Sequence, residues 1–561
     1  MVPTTPLKVT LIEPKPPERH TFDAARLPRL GLVNMATELR HRGYEANVWC
    51  QAWSMPSLTD LLSTDLVGIS TTTSTAPEAY RLADMMRRHG IPVVLGGPHV
   101  TFLPDEGLEH ADFVIRGEAD LSFPGFVDAL LRESGDPYAT PGLSYRKGGP
   151  AVHNPLDGAT VDIDRLPIPN LALVRPGWSR WRTFPVMTSR GCPHGCTFCG
   201  VTAMFGRRYR FRSKELVLEE LSRLRGRKVF FYDDNFTANP GRTKELLEGM
   251  LSTSARPSAW GAQVRVDAAR DPELLRLMAR SGCRRVYVGF ESINPETLRS
   301  FHKGQGLEDI RTAISAFHRA GIGVYGMFIL GADADDARTP GLTVDFALAE
   351  GLEGAQFMIL TPLPGTGLFS QLEERGRLLT RDWALYDGHN AVFQPAGLSP
   401  AELEAAAARA HLAFYSAKGM GRAMAAGNFR AAYQRALARV ELGRWLRAAK
   451  TMAAMAATAR VWAAARARLN VERLDTAAVR RLKREVNNLF RAGRRQLEIH
   501  IASRAAVAQT KALVRLARFL DRIGRIPGVK VRLTGLNAMA ENLILAALAH
   551  APSFEVLPQK A

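Results

Sequence analysis

The first 145 residues alternate short apolar runs with longer stretches in which apolar residues recur at helical spacing. Helical patterns cover 32–43 and 76–89, and Gly43 and Gly90 mark the ends of these two helices. The β-rich apolar runs around them lie at 7–12, 66–70, 93–97 and 113–117. This alternation predicts an α/β domain with a doubly wound, Rossmann-like sheet over residues 1–145.

A second α/β region follows a linker. Residues 146–183 are rich in Gly, Pro and Asp, which is typical of a connecting segment. Between residues 184 and 395 strand and helix patterns alternate again, with β-rich runs at 184–188, 228–232, 262–266, 285–289, 324–330 and 356–360. Six strand–helix repeats predict a partial (β/α)6 barrel of the TIM type, in which the missing repeats leave a side gap for a large substrate.

Residues 396–561 form an Ala- and Arg-rich region that the pattern predicts to be mostly helical. Between 477 and 501 the apolar residues fall at helical spacing, while most of the arginines and lysines lie off that stripe. The β-rich run at 529–533 predicts a strand in a small appended unit.

Charge is distributed unevenly along the 561 residues, whose formal net charge is +19. Residues 1–400 hold 45 basic and 45 acidic residues, so the excess lies in residues 401–561, which hold 29 Lys and Arg against 10 Asp and Glu. This basic tail is either a solvated helical bundle or a surface for an anionic substrate, an anionic membrane or nucleic acid. It lacks the interleaved aromatic residues typical of RNA-binding modules.

Composition is that of a globular, multidomain protein. Hydrophobic residues make up 46% and charged residues 23% of the chain, which is enough material for several cores. Five cysteines, three of them in one loop, favour a reducing compartment over a disulfide framework. Because the sequence shows neither a signal pattern nor an apolar run of about 18 residues, we expect a cytoplasmic protein.

The strongest chemical signal is the spacing Cys192-x3-Cys196-x2-Cys199, in a loop that follows the apolar run 184–188. Cysteine thiolates ligate iron–sulfur clusters, and three of them leave one iron of a four-iron cubane open. A structural zinc site needs four ligands, and the nearby His194 lies inside the loop between two of the cysteines. The spacing therefore predicts a [4Fe–4S] cluster, with Cys192, Cys196 and Cys199 as metal ligands and catalytic residues.

Polar and small residues follow the predicted strands of both α/β regions. The carboxyl ends of parallel strands meet at one edge, so we expect these residues to line a site together, although each alone reads as a helix cap or surface ion pair. In the barrel region they are Asp233, Asp234, Arg265, Glu291, Gly331 and Asp333. In the first domain, where small residues let a bulky ligand approach the backbone, they are 70–74, Gly96, Gly97 and 117–120.

The cysteine loop resembles that of the radical S-adenosylmethionine (SAM) superfamily, in which the open iron chelates SAM and an electron cleaves it to a 5′-deoxyadenosyl radical. With the segments 28–32, 96–99, 117–118 and 361–366 it resembles the cobalamin-dependent branch of that superfamily. Residues 13–17 depart from mutase-type cobalamin domains, because they read Glu-Pro-Lys-Pro-Pro where those domains carry Asp-x-His-x-x-Gly. The resemblance thus implies cobalamin whose cobalt takes no histidine from that motif.

The resemblance also implies a set of cofactor-binding residues. Asp234 would contact the amino group of SAM, and Glu291 its ribose. Arg265 and Lys303 would contact other polar parts of SAM, and Gly331 lies at the same rim. On the cobalamin side the implied residues are Ser70, Thr72, Gly96, Gly97 and Glu118.

The activity that the resemblance implies is methyl transfer to an unactivated carbon. Ring formation or rearrangement without methyl transfer is the alternative within the class, as in the anaerobic porphyrin cyclases. An RNA-modifying enzyme is a further alternative, but methylthiotransferases of that kind carry a second cysteine cluster in the first domain, where this chain has Cys50 alone. A cobalamin sensor with a structural cluster is the non-enzymatic alternative, and the full set of SAM-type residues counts against it.

The implied partners are a small-molecule substrate, anionic or lipophilic, and an external electron donor such as flavodoxin or ferredoxin. The basic residues 401–561 add a candidate peripheral contact with an anionic membrane surface, and nucleic acid is the weaker candidate.

Overall fold

The computed structural model describes residues 6–16, 27–156, 161–177, 181–253, 255–440, 442–443, 466–471, 482–483, 496–501, 530–534 and 554–556. Contacts divide the chain into two compact units, Met1–Leu442 and Gly443–Ala561. Among the described residues, no helix is both long and apolar enough to cross a membrane.

The first unit begins with an eight-stranded sheet in the order β7-β6-β5-β4-β3-β1-β2-β8. Its strands are β1 (Lys8–Glu13), β2 (Glu45–Cys50), β3 (Leu66–Ser70), β4 (Val93–Gly96), β5 (Phe113–Ile115), β6 (Leu143–Arg146), β7 (Ala151–His153) and β8 (Val174–Arg175). All neighbours pair in parallel except β5 with β6 and β6 with β7. The strand order reverses between β3 and β1, and ligands of open α/β sheets bind at such a switch point.

Helices cover both faces of this sheet, because its strands carry apolar side chains on both faces. Leu11 of β1 packs with the helices on one face, and its neighbour Ile12 packs with those on the other. The helices are α1 (Leu30–His41), α2 (Leu58–Leu62), α3 (Ala76–Arg88), α4 (Pro98–Phe102), α5 (Pro104–His110) and α6 (Ser122–Arg132). The doubly wound domain predicted from the sequence is confirmed.

A six-stranded parallel sheet, in the order β16-β15-β14-β13-β12-β9, forms the second part of the unit. Because β9 and β16 are its free edges, the barrel is partial, as predicted. The strands are β9 (Phe184–Val186), β12 (Lys228–Phe231), β13 (Ala259–Val264), β14 (Cys283–Glu291), β15 (Gly323–Leu330) and β16 (Gly354–Ile359). Two further short strands, β10 (Ser189–Arg190) and β11 (Arg210–Phe211), pair antiparallel beside β9.

The barrel helices begin where the sequence signals a cap. Asn239, Asp271 and Asn294 each accept a hydrogen bond from the first turn of the helix that follows, and a proline comes directly after each of them. The helices are α7 (Gly200–Phe205), α8 (Lys214–Arg223), α9 (Pro240–Ser252), α10 (Pro272–Ser281), α11 (Pro295–Ser300), α12 (Leu307–Arg319), α13 (Thr339–Ala349) and α14 (Gly367–Glu374). These caps place the carboxyl ends of the strands and the helix starts at one rim.

Two helices follow residue 396, and the first of them packs against the edge strand β16. They are α15 (Pro400–Phe414) and α16 (Ala417–Ala425), and a further helical stretch covers 429–440. In β16 the amide of Phe357 donates to Nε2 of His411, and the hydroxyl of Tyr415 donates to the carbonyl of Ala355 at 2.7 Å. Side chains therefore occupy backbone groups that this edge would otherwise leave unpaired.

The second unit contains a parallel sheet of four strands in the order β17-β18-β19-β20. They are β17 (Arg466–Val471), β18 (Gln496–Ile501), β19 (Lys530–Thr534) and β20 (Phe554–Val556). The strand predicted at 529–533 is β19. Residues 496–501 are a strand where the apolar spacing predicts the end of a helix, and most of the remaining helical pattern of 477–501 lies outside the described residues.

Gly97 and Gly96 offer a matched pair of substitutions in the turn after β4. Gly97 has φ +99°, and a Cβ there would overlap the carbonyl oxygen of Thr71, whereas a Cβ on Gly96 would meet nothing nearer than 3.6 Å. We expect Gly97→Ala to destabilise the ligand-free protein by about 2 kcal/mol or more, because a positive-φ extended backbone costs a residue other than glycine roughly 1–3 kcal/mol. Gly96→Ala should change the melting temperature little. Equal melting temperatures for the two variants in anaerobic calorimetry would contradict this reading of the turn.

Candidate active site

The three cysteines lie on the loop 191–199, between the short strand β10 and helix α7. Gly191 begins the loop with φ +85°, and a Cβ there would collide with the carbonyl oxygen of Arg208. Cys192, Cys196 and Cys199 are all free thiols and all partly exposed. Burial raises the pKa of the Cys192 thiol, and the other two cysteines also raise it, so the three sulfurs share one electrostatic environment.

No position among the described residues brings three or more His, Cys, Asp or Glu side chains around a single metal ion. A cubane makes a different demand, because each of its three protein ligands binds a separate iron. Three thiols on one loop, with His194 partly buried between them, match that donor set. The residues present fit a four-iron cluster with one open iron.

Two adjacent aspartates at the end of β12 hold the start of this loop. Asp233 is fully buried and accepts from the amide of Thr188 at 2.7 Å, from the Thr188 hydroxyl at 2.5 Å and from the amide of Ser189 at 3.1 Å. Asp234 accepts from the amide of Gly191 at 3.0 Å. Burial raises the pKa of Asp234 to about 6, and the nearby Asp233 adds to the rise. Asp233 is thus an anchor, while Asp234 also faces the cavity described below.

Arg265, Glu291 and Lys303 come together near Cys196. Lys303 Nζ lies 2.7 Å from Glu291 Oε1, and Arg265 Nη2 donates to the carbonyl of Lys303 at 2.7 Å. Burial raises the pKa of the Cys196 thiol, and Lys303 and Arg265 oppose that rise. The two cations therefore lie near enough to favour a thiolate. Glu291 has φ +62°, so its side chain leaves the strand β14 in an unusual direction toward this group.

The structure gives Gly331 and Asp333 roles in packing. Gly331 has φ +98°, and its amide donates to Asp335 at 2.9 Å. A Cβ on Gly331 would meet the side chain of Leu403 in α15 at 2.5 Å. Asp333 pairs with Arg377 at 2.7 Å and is more than half exposed. Asp333 thus lies outside the group formed by Arg265, Glu291 and Lys303.

A cavity of about 380 Å³ opens at the switch point of the first sheet. Its wall includes Ser70, Thr72, Gly96, Gly97 and Glu118, all predicted to bind cofactor. The wall continues onto the barrel part of the chain, and the residues contributed there are Met187, Ser189, Arg190, Met204, Phe205, Tyr232 and Asp234. The two α/β regions therefore share one cavity.

The shape of this cavity suits a bulky, largely apolar ligand. Glycines at several wall positions, including Gly31 and Gly96, leave the backbone bare, and nothing lies within 4 Å of a Cβ built on Gly31. Apolar side chains such as Leu11, Val94 and Phe123 also line the cavity. These features fit a large cofactor such as cobalamin, because bare backbone at a switch point of the sheet allows a bulky ring to approach closely.

The polar side chains predicted on the cobalamin side already have partners in the protein. Arg29 Nη1 donates to Ser70 Oγ at 3.3 Å, and Arg29 Nη2 donates to Thr72 Oγ1 at 3.1 Å. Glu118 accepts from Arg190 at 2.6 Å and from Arg210 at 2.7 Å. These residues shape the wall of the cavity through protein contacts.

Among the cavity residues that sequence reasoning missed are Arg29, Arg190 and Tyr232. Arg29 lies inside the quoted segment 28–32, Arg190 directly precedes the cysteine loop, and Tyr232 directly precedes the two aspartates. Tyr232 is 38% exposed, and that exposed surface faces the cavity. Each of these three residues lies within or next to a motif that the sequence shows, and this position could have identified them.

Comparison with known proteins identifies both regions. Residues 186–339 match the model of the Radical SAM superfamily, and residues 25–127 match that of the B12 binding domain. The bacteriochlorophyllide d C-12(1)-methyltransferase of Chlorobaculum tepidum is 31% identical over 407 residues, covering 71% of this chain and 84% of that protein. The anaerobic magnesium-protoporphyrin IX monomethyl ester cyclase of Rubrivivax gelatinosus is 26% identical over 424 residues, covering 71% of this chain and 75% of that protein.

The fold is also that of a solved structure. The radical S-adenosylmethionine methyltransferase TsrM of Kitasatospora setae, with cobalamin and a [4Fe–4S] cluster bound, superposes with a TM-score of 0.54 at 20% identity. The match covers 66% of this chain and 75% of TsrM. The two domains imply the cofactors predicted from the sequence, namely a [4Fe–4S] cluster, SAM and cobalamin. Both domains, the shared cavity and the extent of the match to the relatives place this chain in the family of cobalamin-dependent radical SAM enzymes.

Proposed function

We propose that this enzyme transfers a methyl group to an unactivated carbon of a largely apolar small molecule. The observation that carries the proposal is the cavity shared by the B12-binding domain and the barrel, whose wall includes Gly97 on one side and Asp234 on the other. When bound, the cofactors supply a radical that removes a hydrogen atom from carbon and a methyl group that replaces it. The radical and the methyl group both have to reach one substrate carbon, and a cavity shared by the two domains allows this.

The residues of this chain hold and shield the reacting groups. Cys192, Cys196 and Cys199 provide the ligands of the cluster. The carboxylate of Asp234 provides an acceptor for the ammonium of SAM, and the pair of Glu291 and Lys303 provides buried polar groups for the rest of that molecule. The barrel side of the cavity adds the apolar wall residues Met187, Met204 and Phe205.

That apolar wall has a chemical purpose. A closed apolar site keeps bulk solvent and small solutes away from a reactive intermediate and so limits side reactions. Met187, Met204 and Phe205 offer a surface that a lipophilic substrate would cover. The relatives named above act on a bacteriochlorophyllide and on a magnesium-protoporphyrin ester, which are large ring systems.

Ring formation without methyl transfer is the second candidate. The cyclase of Rubrivivax gelatinosus, which matches 71% of this chain, favours it. An external reductant such as flavodoxin or ferredoxin would serve either reaction. We also propose that residues 1–145 hold cobalamin and residues 184–395 hold the cluster and SAM. Residues 146–183 connect these two parts and add β7 and β8 to the first sheet, and residues 396–442 cover the edge strand β16 of the barrel.

Anaerobic product analysis separates the two reactions. We expect the reconstituted enzyme to form both S-adenosylhomocysteine and 5′-deoxyadenosine, because methyl transfer consumes SAM in two ways, whereas ring formation yields 5′-deoxyadenosine alone. Cys196→Ala should abolish 5′-deoxyadenosine formation, since it removes a ligand of the cluster. Cys283→Ala is the control, because Cys283 is a buried thiol in β14. A Cys196→Ala enzyme that still cleaves SAM would contradict the assignment of the loop.

The raised pKa of Asp234 predicts the pH dependence of SAM binding. Below a pKa of about 6 the carboxyl is neutral and no longer attracts the ammonium of SAM. From pH 7.5 to 5.5 the ionised fraction falls about fourfold, so the KM for SAM should rise by a similar factor. Asp234→Asn should have a high KM that varies little over this range. Asp333→Asn is the control, and a profile in Asp234→Asn that follows the wild type would refute the role of Asp234.

We also propose that the basic residues 401–561 make a peripheral contact with an anionic membrane surface. We expect the full chain to sediment with phosphatidylglycerol vesicles at low salt and to be released as ionic strength rises, because such attraction is screened within roughly 8–10 Å. A chain ending at Leu442 keeps the helices on β16 and should not bind. If both chains bind equally, or neither binds, residues 443–561 have no role in recruitment by charge.

A further inference from the structure

Two arginines stand at the neck of the cysteine loop. Arg190 in β10 and Arg210 in β11 are directly paired across the short antiparallel ribbon, and the loop 191–199 begins one residue after Arg190. Cross-strand partners of this kind project side by side. Any group that binds both guanidinium groups therefore holds the neck of the loop on both strands.

The group that binds them comes from the other α/β region. Glu118 and Asp120 lie in the turn between β5 and α6, and both line the cavity. Asp120 accepts from Arg190 with both oxygens, at 2.7 and 3.0 Å. Glu118 accepts from Arg210 with both oxygens, at 2.7 and 2.9 Å, and also from Arg190 at 2.6 Å. Bidentate pairs fix orientation as well as distance.

The four charges balance and are shielded from water. None of the side chains of Glu118, Asp120, Arg190 and Arg210 is more than 15% exposed. Burial opposes ionisation of Asp120, yet the Arg190 guanidinium holds the pKa of Asp120 below its usual value. Buried bidentate ion pairs have few alternative arrangements, so this cluster is stiff compared with an exposed salt bridge.

We propose that Glu118, Asp120, Arg190 and Arg210 form a positioning clamp that sets the separation between the cluster loop and the cobalamin cavity. The clamp joins the wall of one cofactor site to the neck of the loop that carries the other. Its action requires the two cofactor sites, which the family implies, and is independent of whether the reaction is methyl transfer or ring formation.

Arg210 is the residue to change, because it holds Glu118 without lining the cavity. Arg210→Met removes the bidentate bond and the charge. Arg210→Lys keeps the charge, but a single ammonium does not reproduce the planar fork. Glu220→Gln is the matched control, since the buried pair of Glu220 with Arg212 joins α8 to the segment after β11, within the barrel part.

The measurement is the distance between the reduced cluster and cob(II)alamin in the reconstituted holoenzyme, by pulsed electron paramagnetic resonance without substrate. We expect one narrow distribution in the wild type and in Glu220→Gln, and a broadened or shifted one in Arg210→Met, with Arg210→Lys between them. Iron and cobalamin contents should stay at wild-type levels. If Arg210→Met does not fold, Arg210→Lys alone decides the question.

Product analysis adds a second readout on the same samples. SAM cleavage to 5′-deoxyadenosine should persist in Arg210→Met, whereas formation of S-adenosylhomocysteine, which needs both cofactor sites, should slow by on the order of 100-fold, as a misplacement of roughly 1 Å does. A wild-type distance distribution in both Arg210 variants would overturn the clamp, and so would an equal change in Glu220→Gln. If the wild type forms 5′-deoxyadenosine alone, methyl transfer fails as a proposal, while the distance measurement still tests the clamp.

Discussion

Hydrogen bonds from three backbone amides to two adjacent carboxylates fix the path of the chain into the cysteine loop. The amides of Thr188 and Ser189 donate to Asp233, and that of Gly191 donates to Asp234. Buried backbone amides that lie outside regular sheet pairing need another hydrogen-bond acceptor. The two aspartates accept from these amides, and the segment that they hold includes Ser189 of the cavity wall, Arg190 of the clamp and the start of the cysteine loop.

The two carboxylates show how one dipeptide serves two purposes. Asp233 is fully buried, and its oxygens are occupied by Thr188 and Ser189, so its contribution is to the structure. Asp234 has one backbone donor and faces the cavity. Burial raises the pKa of both groups, but of the two only Asp234 lines the cavity. The raised pKa values therefore mark this pair of aspartates as a candidate site. The number of hydrogen bonds that each carboxylate accepts distinguishes the anchoring Asp233 from Asp234, which faces the cavity.

Much of the fold and the cluster loop could be predicted from the sequence, because strand–helix periodicity and cysteine spacing are local signals. Roles of single residues were harder to predict. Glu118 sits at the predicted edge, yet its oxygens are taken by Arg190 and Arg210, which lie 72 and 92 residues further along the chain. Pairing over such distances depends on how two domains meet, and no local pattern encodes it.

Ambiguity between helix and strand explains the difference in the second unit. In Gln496–Ile501 the apolar residues Leu497 and Ile501 are four apart, which suits a helix, but with Ile499 they also alternate with polar residues, which suits a strand. The neighbours β17 and β19 pair with this segment on both sides. Pairing on two sides outweighs local propensity, since a central strand satisfies its backbone through its neighbours.

The same dependence on distant partners accounts for where the site is rigid and where it is open. Glu118 and Asp120 bind two arginines, and Ser70 and Thr72 bind Arg29, so these polar groups of the cavity wall are already held in place. Apolar and bare-backbone surface makes up much of the remaining wall. A wall of this kind discriminates by shape and excludes water. In this chain we therefore expect the volumes of side chains such as Met204 and Phe205 to set the size of the molecule that the cavity accepts.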